Sequence, residues 1–241
     1  MSVKISADVK KEHNVTRGVI KRLIQIVIGF AIQAFVLFLA AGTLNWVTAW
    51  IYFAVLVALV VVNTFVLLKV SPELIAERAE IKEGAKDWDR PLAGVISLFG
   101  PLIILLVAGL DYRFSWSPDI AWQIQVGVLI MMVLGYGFAN WAMASNKFFS
   151  GLVRIQKERG HSVATNGPYR FVRHPGYSGW SVAYLTTPLV LGSLWALIPA
   201  GLTVVVIIVR TALEDKTLQA ELDGYADYAQ QVRYRLVPGV W

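Results

Sequence analysis

The sequence predicts an all-α, polytopic transmembrane protein of about six spans, with both termini cytoplasmic. Three observations carry this. Hydrophobic residues make up 56% of the 241-residue chain and charged ones only 16%, well under the quarter usual in soluble domains. The apolar residues come in blocks of about 18 to 25, the length a helix needs to cross a hydrocarbon core of about 30 Å, and none alternates as a barrel strand would. Lysine and arginine fall almost wholly in alternate connectors, which fixes an orientation.

The first 18 residues are basic (Lys4, Lys10, Lys11, Arg17) and read as a cytoplasmic tail, because no small-residue cleavage site follows the first apolar block at a suitable distance. Spans are expected at about residues 19–41 and 46–68, with Trp46 and Trp50 in an interfacial belt. In the connector over residues 69–90, Ser71-Pro72-Glu73 reads as a helix start. Glu77, Arg78, Glu80, Lys82, Glu83, Lys86 and Asp87 suit a solvated surface helix, with a lid over a site as the alternative. A third span follows at about 92–110, then a polar turn with Asp111, Arg113, Trp116 and Pro118, then a fourth span at about 120–145.

A long polar connector occupies about residues 146–177. The apolar stretch 178–209 is interrupted at Thr186-Thr187-Pro188 and Gly192-Ser193, so it reads as a helical hairpin rather than one span. This divides the chain into 1–145, a tail and four spans, and 146–241, a connector, hairpin and C-terminal helix. With the N-terminus inside, the four inner segments hold 21 of the 22 lysines and arginines, and only Arg113 falls outside.

The net charge of +6 is explained by topology and anionic headgroups, so no nucleic-acid partner is expected. The absence of cysteine excludes disulfides, thiolate metal sites and a cysteine nucleophile. His13, His161 and His174 lack metal-ligand spacing, and no metal is expected. Gly135-Tyr136-Gly137 reads as small-residue helix packing, and Asn14-Val15-Thr16, though a glycosylation pattern, is placed in the cytoplasm.

Chemistry concentrates in two places. Residues 166–180 bring two prolines, three glycines, two arginines, one histidine and four aromatics into fifteen positions. Arg210 and Glu214 share one helix face at i, i+4 where the last apolar helix turns polar. An ordinary helix-end ion pair is the structural alternative there, set against the cost of an arginine at the interface, which favours a site. Beyond them Leu218, Leu222, Tyr225, Tyr228 and Val232 form a helical stripe, and the final segment 234–241 is expected against the bilayer surface.

The block Gly167-Pro168-Tyr169-Arg170, Arg173-His174-Pro175, Tyr177 and Gly179, followed by Arg210, Glu214 and the Tyr225/Tyr228 tail, resembles the isoprenylcysteine carboxyl methyltransferase family, kin of the phospholipid N-methyltransferases. The resemblance covers about residues 156–238. It implies an S-adenosylmethionine pocket facing the cytoplasm, built from the connector and the C-terminal helix, with a lipid-like acceptor entering from the membrane. Carried over, the cofactor positions are Gln156, His161, Ser162, Val163, Ala164, Tyr169, His174, Pro175, Gly176, Tyr177 and Glu214. Arg210 becomes the substrate-side residue, and Arg210 and Glu214 the catalytic pair. Asp215 stands where relatives often have a second glutamate.

The residue types agree with that chemistry. A ligand carrying a sulfonium, an ammonium and a carboxylate needs acidic, basic and aromatic partners in one place, and Arg210 offers a two-point grip on a carboxylate such as that of an isoprenylcysteine. Two other readings stay open: an NADPH-dependent sterol-type reductase, which shares an Arg-His-Pro-x-Tyr-x-Gly block, and a non-enzymatic membrane protein. The acceptor atom, oxygen, nitrogen or sulfur, is not encoded in any named residue.

Overall fold

The computed structural model describes residues 2–79 and 84–241, with side chains from residue 15 onward. Glu80, Lys82 and Glu83, and the side chains of Lys4, Lys10, Lys11, His13 and Asn14, lie outside the described residues. Every regular element among those described is helical.

Helix α1 runs Ser2–Ala41, so the segment expected as a tail is the first part of the first helix. Nothing in residues 2–17 breaks a helix: no proline or glycine occurs, and lysine, alanine and glutamate are good formers, so the turn propagates from the apolar block. Gly42, at φ +70, ends it, as a left-handed cap residue should. The expected spans otherwise hold within a few residues. Helix α2 is Val47–Val70, and the third pass is α4 Asp89–Gly94, a π-helical turn Val95–Phe99 and α5 Gly100–Phe114. The fourth pass is α6 Trp122–Ala144. Trp46 is no interfacial anchor: it is 5% exposed and stacks on Tyr112 with ring centroids 4.1 Å apart.

Between α2 and α4 the proline-started helix α3, Pro72–Glu77, forms as the sequence predicts, but it is not a solvated surface helix. Leu74 and Ile75 are buried, and α3 lies so close to α1 that a Cβ on Gly18 would stand 2.6 Å from that of Ala76.

The hairpin is present as α7 Pro175–Val190 and α8 Leu197–Glu221. Its break lies at the Gly192-Ser193 signal, where Gly192 has φ +77. Thr186-Thr187-Pro188 stays inside α7, because a proline in the last turn sacrifices one backbone bond and the two threonine hydroxyls turn back onto Val182 and Ala183 carbonyls. Among the described residues five helices are long and apolar enough to cross a membrane, where the sequence predicts about six spans. The sixteen residues of α7, about 24 Å at helical rise, pack along α6 and are not among these five. The protein is an integral membrane helical bundle.

The two ends of the bundle differ. At one, Asp111 accepts from Ser117 and Ser193, Gly42 packs beside Arg113, and Gln125 donates to the Val190 carbonyl. At the other, α3 meets the 146–174 connector through the Glu77–Arg154 ion pair, and the turn before α4 meets the end of α8 through Lys86–Glu221. The basic connectors thus share one end and Arg113 occupies the opposite one, as the charge partition requires.

Candidate functional site

The connector 146–174 has almost no regular structure, only 3-10 turns at Lys157–Arg159 and Gly167–Arg170, so side chains must satisfy its buried backbone. Gln156, 0% exposed, donates from Nε2 to the Phe148 carbonyl at 2.7 Å and accepts from Arg159. Its backbone N–H reaches His161 Nδ1 at 3.2 Å, and His161 lies against the Phe148 ring, centroids 4.5 Å apart.

The rest of the end is tied through Asp215, fully buried on α8. Its carboxylate takes a two-point contact from Arg173 (2.7 and 2.9 Å), one from Arg235 (2.9 Å), one from Gln219 (2.8 Å) and the Tyr225 hydroxyl (3.0 Å). His174 Nε2 stands 3.2 Å away. Arg173 also donates to the Val232 and Arg233 carbonyls, and the Arg173 and His174 amides donate to Tyr234 and Arg235. The C-terminal segment is therefore pinned across the connector rather than laid apart from it. The stripe breaks at Gly224, φ +79, into α8 and a short α9, Tyr225–Gln231. Its members nonetheless cluster: Leu222, Tyr225 and Tyr228 pack with Leu218, Val232 and Val163.

These ties enclose a cleft of about 810 Å³, open mouth included. Into it come His161, Ser162, Val163, Ala164, Tyr169, His174, Gly176, Tyr177, Arg210 and Glu214, ten of the residues the sequence singles out. Gln156 and Pro175 do not line it. Gln156 props Phe148 and His161, and Pro175 starts α7, where the following Gly176 admits the Phe149 ring: a Cβ there would lie 2.8 Å from it.

Glu214 is held by the Tyr177 hydroxyl at 2.6 Å and pairs with no arginine, so the helix-end ion pair with Arg210 does not form. Arg210, 4% exposed, turns the other way. Its Nε and Nη2 grip Asp89 at 2.6 and 2.8 Å, Nη2 also reaches the Gly151 carbonyl at 2.9 Å, and its guanidinium stacks over the Tyr177 ring at 5.4 Å. Asp89 and Arg154 escape sequence reading. Arg154 lines the cleft, pairs with Glu77 and Glu158, and keeps a shielded Nε without a partner. Nothing local marks either residue, since each meets its partners from distant segments.

Burial, countered in part by the Asn146 hydrogen bond, raises the Tyr169 phenol well above its ordinary range. Burial and then Asp215 do the same to Tyr225. Both hydroxyls are donors, not bases, at neutral pH. His161 is pulled down to about 4 by burial and by Arg154 and Arg159, leaving it neutral. Among the described residues no group of three His, Cys, Asp or Glu is placed to hold a metal.

Residues 128–220 match the model of the isoprenylcysteine carboxyl methyltransferase (ICMT) family. Among curated proteins the chain is 32% identical over 88 residues to protein-S-isoprenylcysteine O-methyltransferase B of Arabidopsis thaliana, 33% of this chain and 45% of that one. It is 26% identical over 152 residues to methanethiol S-methyltransferase 1 of Bradyrhizobium diazoefficiens, 58% and 50%. The chain spans half the length or less of these relatives. In fold it matches the eukaryotic intramembrane Ras methyltransferase ICMT, with a TM-score of 0.56 at 17% identity over all of this chain and 88% of that one. From α6 to the last turn of α8, then, this chain matches the model of the isoprenylcysteine carboxyl methyltransferase family, and its fold is like that of the eukaryotic ICMT.

Proposed function

We propose that the protein is an integral membrane methyltransferase that uses S-adenosylmethionine and acts on the carboxylate of a lipid-like acceptor of the isoprenylcysteine class, its cleft facing the cytoplasm. One observation supports the reading: the polar, aromatic cleft adjoins a second cavity, the two sharing Trp180, Arg210 and Ser150, and that cavity continues past Tyr184 into a chamber walled largely by apolar side chains.

The cleft's donor set fits the cofactor. Glu214 is a carboxylate for an ammonium, the unpartnered Nε of Arg154 a donor for a carboxylate, and the rings of Tyr169, Tyr177 and Tyr228 are faces for a sulfonium or an adenine. Bound there, S-adenosylmethionine supplies an electrophilic methyl whose transfer leaves a neutral thioether. The chain's own part is alignment and dryness. Tyr177 fixes the Glu214 carboxylate, the Asp215 network locks the connector over the cleft, and the apolar cavity holds a tail so that the acceptor head meets the methyl with little water around it. Arg210, locked to Asp89, stabilises the boundary electrostatically and keeps its ring contact with Tyr177.

A thiol acceptor is the second reading, supported by the likeness to a methanethiol S-methyltransferase over 152 residues. Calorimetry of S-adenosylhomocysteine and of NADPH on detergent-purified protein, wild type and Glu214→Ala, tests the cofactor. Micromolar binding of the former, weakened about ten-fold or more in the variant, is expected. Binding of NADPH alone would sink the methyltransferase reading. Labelled methyl transfer to S-farnesylcysteine, an alkanethiol or phosphatidylethanolamine then separates the acceptors.

A further inference from the structure

Segment 234–241 is a closed loop with an apolar tip. The amides of Arg235, Leu236 and Val237 all donate to the Trp241 carbonyl, at 2.9, 3.0 and 3.3 Å, and the Val240 amide donates to the Val237 carbonyl at 3.1 Å. That last bond closes a four-residue turn, Val237-Pro238-Gly239-Val240. Proline presets its second position, and glycine takes the left-handed third at φ +80. The rigid loop has two faces. On one, Leu236 is buried and packs with Trp241 against Ile96, Ile207 and Tyr177. On the other, Val237 and Val240 are 50% and 79% exposed, the latter more than any other large apolar residue among those described.

The packing sets this tip beside the membrane-facing surface. Ile96 and Ile207 belong to two of the helices long and apolar enough to cross a bilayer, and Phe99, Val205 and Val209 on those helices are exposed. Ile96 stands about two turns along the third pass from Asp89, so the loop lies near the polar end of the spans. The charge around it has one sign. Arg233 and Tyr234 are exposed, the Arg235 guanidinium lies over the Trp241 ring at 4.8 Å, and no aspartate or glutamate follows Asp227. An apolar tip collared by arginine and tyrosine suits the interface between acyl chains and anionic headgroups.

We propose that segment 233–241 is a membrane anchor: the Val237–Val240 turn inserts into the adjoining leaflet, with Arg233 and Tyr234 among its anionic headgroups. The anchor reaches the cleft through its own bonds. The Arg173 and His174 amides donate to the Tyr234 and Arg235 carbonyls at 2.9 Å, Ser178 donates to the Leu236 carbonyl at 2.6 Å, and Arg235 Nε donates to Asp215 at 2.9 Å. Arg173 and His174 line the cleft. A leaflet that holds the loop therefore holds this wall of the cleft, and lipid binding favours the assembled site by mass action, whatever the cleft takes.

The chain has no cysteine, so a single label can be placed on the full protein. A fluorophore on Val240→Cys, or on Gln230→Cys in α9 as the control, is read in nanodiscs of phosphatidylcholine, with and without phosphatidylglycerol, using spin-labelled lipid as quencher. Quenching at residue 240 is expected to exceed that at residue 230 about three-fold or more and to increase with phosphatidylglycerol. The double variant Val237→Asp/Val240→Asp changes only the exposed face. In nanodiscs it should open residues 234–241 to limited proteolysis and weaken S-adenosylhomocysteine binding about five-fold. Val237→Ser/Val240→Ser, which adds no charge, should do the same to a lesser degree and serves if the first variant fails to fold. Equal quenching at the two positions overturns the anchor, and quenching indifferent to phosphatidylglycerol overturns its preference for anionic lipid. Strong quenching at residue 240, with proteolysis and binding unchanged in both double variants, overturns its hold on the cleft. A wild type that binds no S-adenosylhomocysteine removes the methyltransferase reading, while quenching and proteolysis still decide the anchor.

Discussion

Arg210 and Asp89, 121 residues apart in the chain, form a buried two-point ion pair with contacts of 2.6 and 2.8 Å. Asp89 also accepts the Val153 amide at 2.7 Å. One carboxylate at the start of the third pass thus holds both the arginine of the last pass and the connector that covers the cleft.

Removing that carboxylate's charge leaves a buried arginine uncompensated. Asp89→Asn is expected to cost about 3–5 kcal/mol, seen as a lower melting temperature in detergent, together with a loss of methyl transfer. The double variant Asp89→Asn/Arg210→Gln should recover part of the stability, because neither charge is then stranded. Additive losses would show that the two residues do not act as a pair.

Asp215 gathers two arginines and three other donors, and its loss should matter more than that of any one partner. Asp215→Asn is expected to destabilise by about 3–5 kcal/mol and to open residues 234–241 to limited proteolysis. Arg235→Gln, whose side chain is 32% exposed, should cost about 1 kcal/mol or less. Similar proteolysis of both variants would place the clamp elsewhere.

The neutral His161 makes stability depend on pH. Its folded value, about 4, lies below its ordinary 6.5, so the unfolded chain binds more protons between the two and stability rises with pH there. The contribution is whole above about pH 6.5 and is lost as pH falls through about 4. Melting temperatures of wild type against His161→Gln should converge over that window as pH falls, whereas parallel curves would rule His161 out as the titrating group.

Helices α6 and α7 approach through glycine. A Cβ on Gly179 would stand 2.7 Å from the Ala139 amide nitrogen, while one on Gly137 meets nothing within 4 Å. Gly179→Ala should force the helices apart and lower the yield of folded protein. Gly137→Ala should leave it unchanged or gain about 0.5–1 kcal/mol from helix propensity. An unaffected Gly179→Ala protein would mean that the contact is not needed for folding.

Much of the architecture is legible along the chain because a bilayer imposes a length scale. Span-sized apolar blocks, the glycines that end α1 and α7 and the one-sided lysines and arginines each follow from local chemistry, and the observed passes depart from them by only a few residues. Residues 2–17, read as a tail, are helical, because nothing there stops a helix. The cleft's lining was legible in the same way, since the block from Gly167 to Tyr177 and the face bearing Arg210 and Glu214 announce themselves by composition.

Partnership was not legible. Asp215 read as a minor departure and is the hub of the C-terminal clamp, and Glu214 and Arg210, one turn apart, look to different partners. Asp89 and Arg78 sit among ordinary connector charges, and only the packing of α3 and α4 against α1 and α8 decides that one is neutralised while the other keeps a shielded Nη1 without a partner among the described residues. Sequence alone determined which segments the membrane would hold, because apolar burial is additive along a helix. Tertiary structure decided which charges are matched, because a charge is compensated only by what lies within a few ångströms, and those neighbours come from anywhere in the chain.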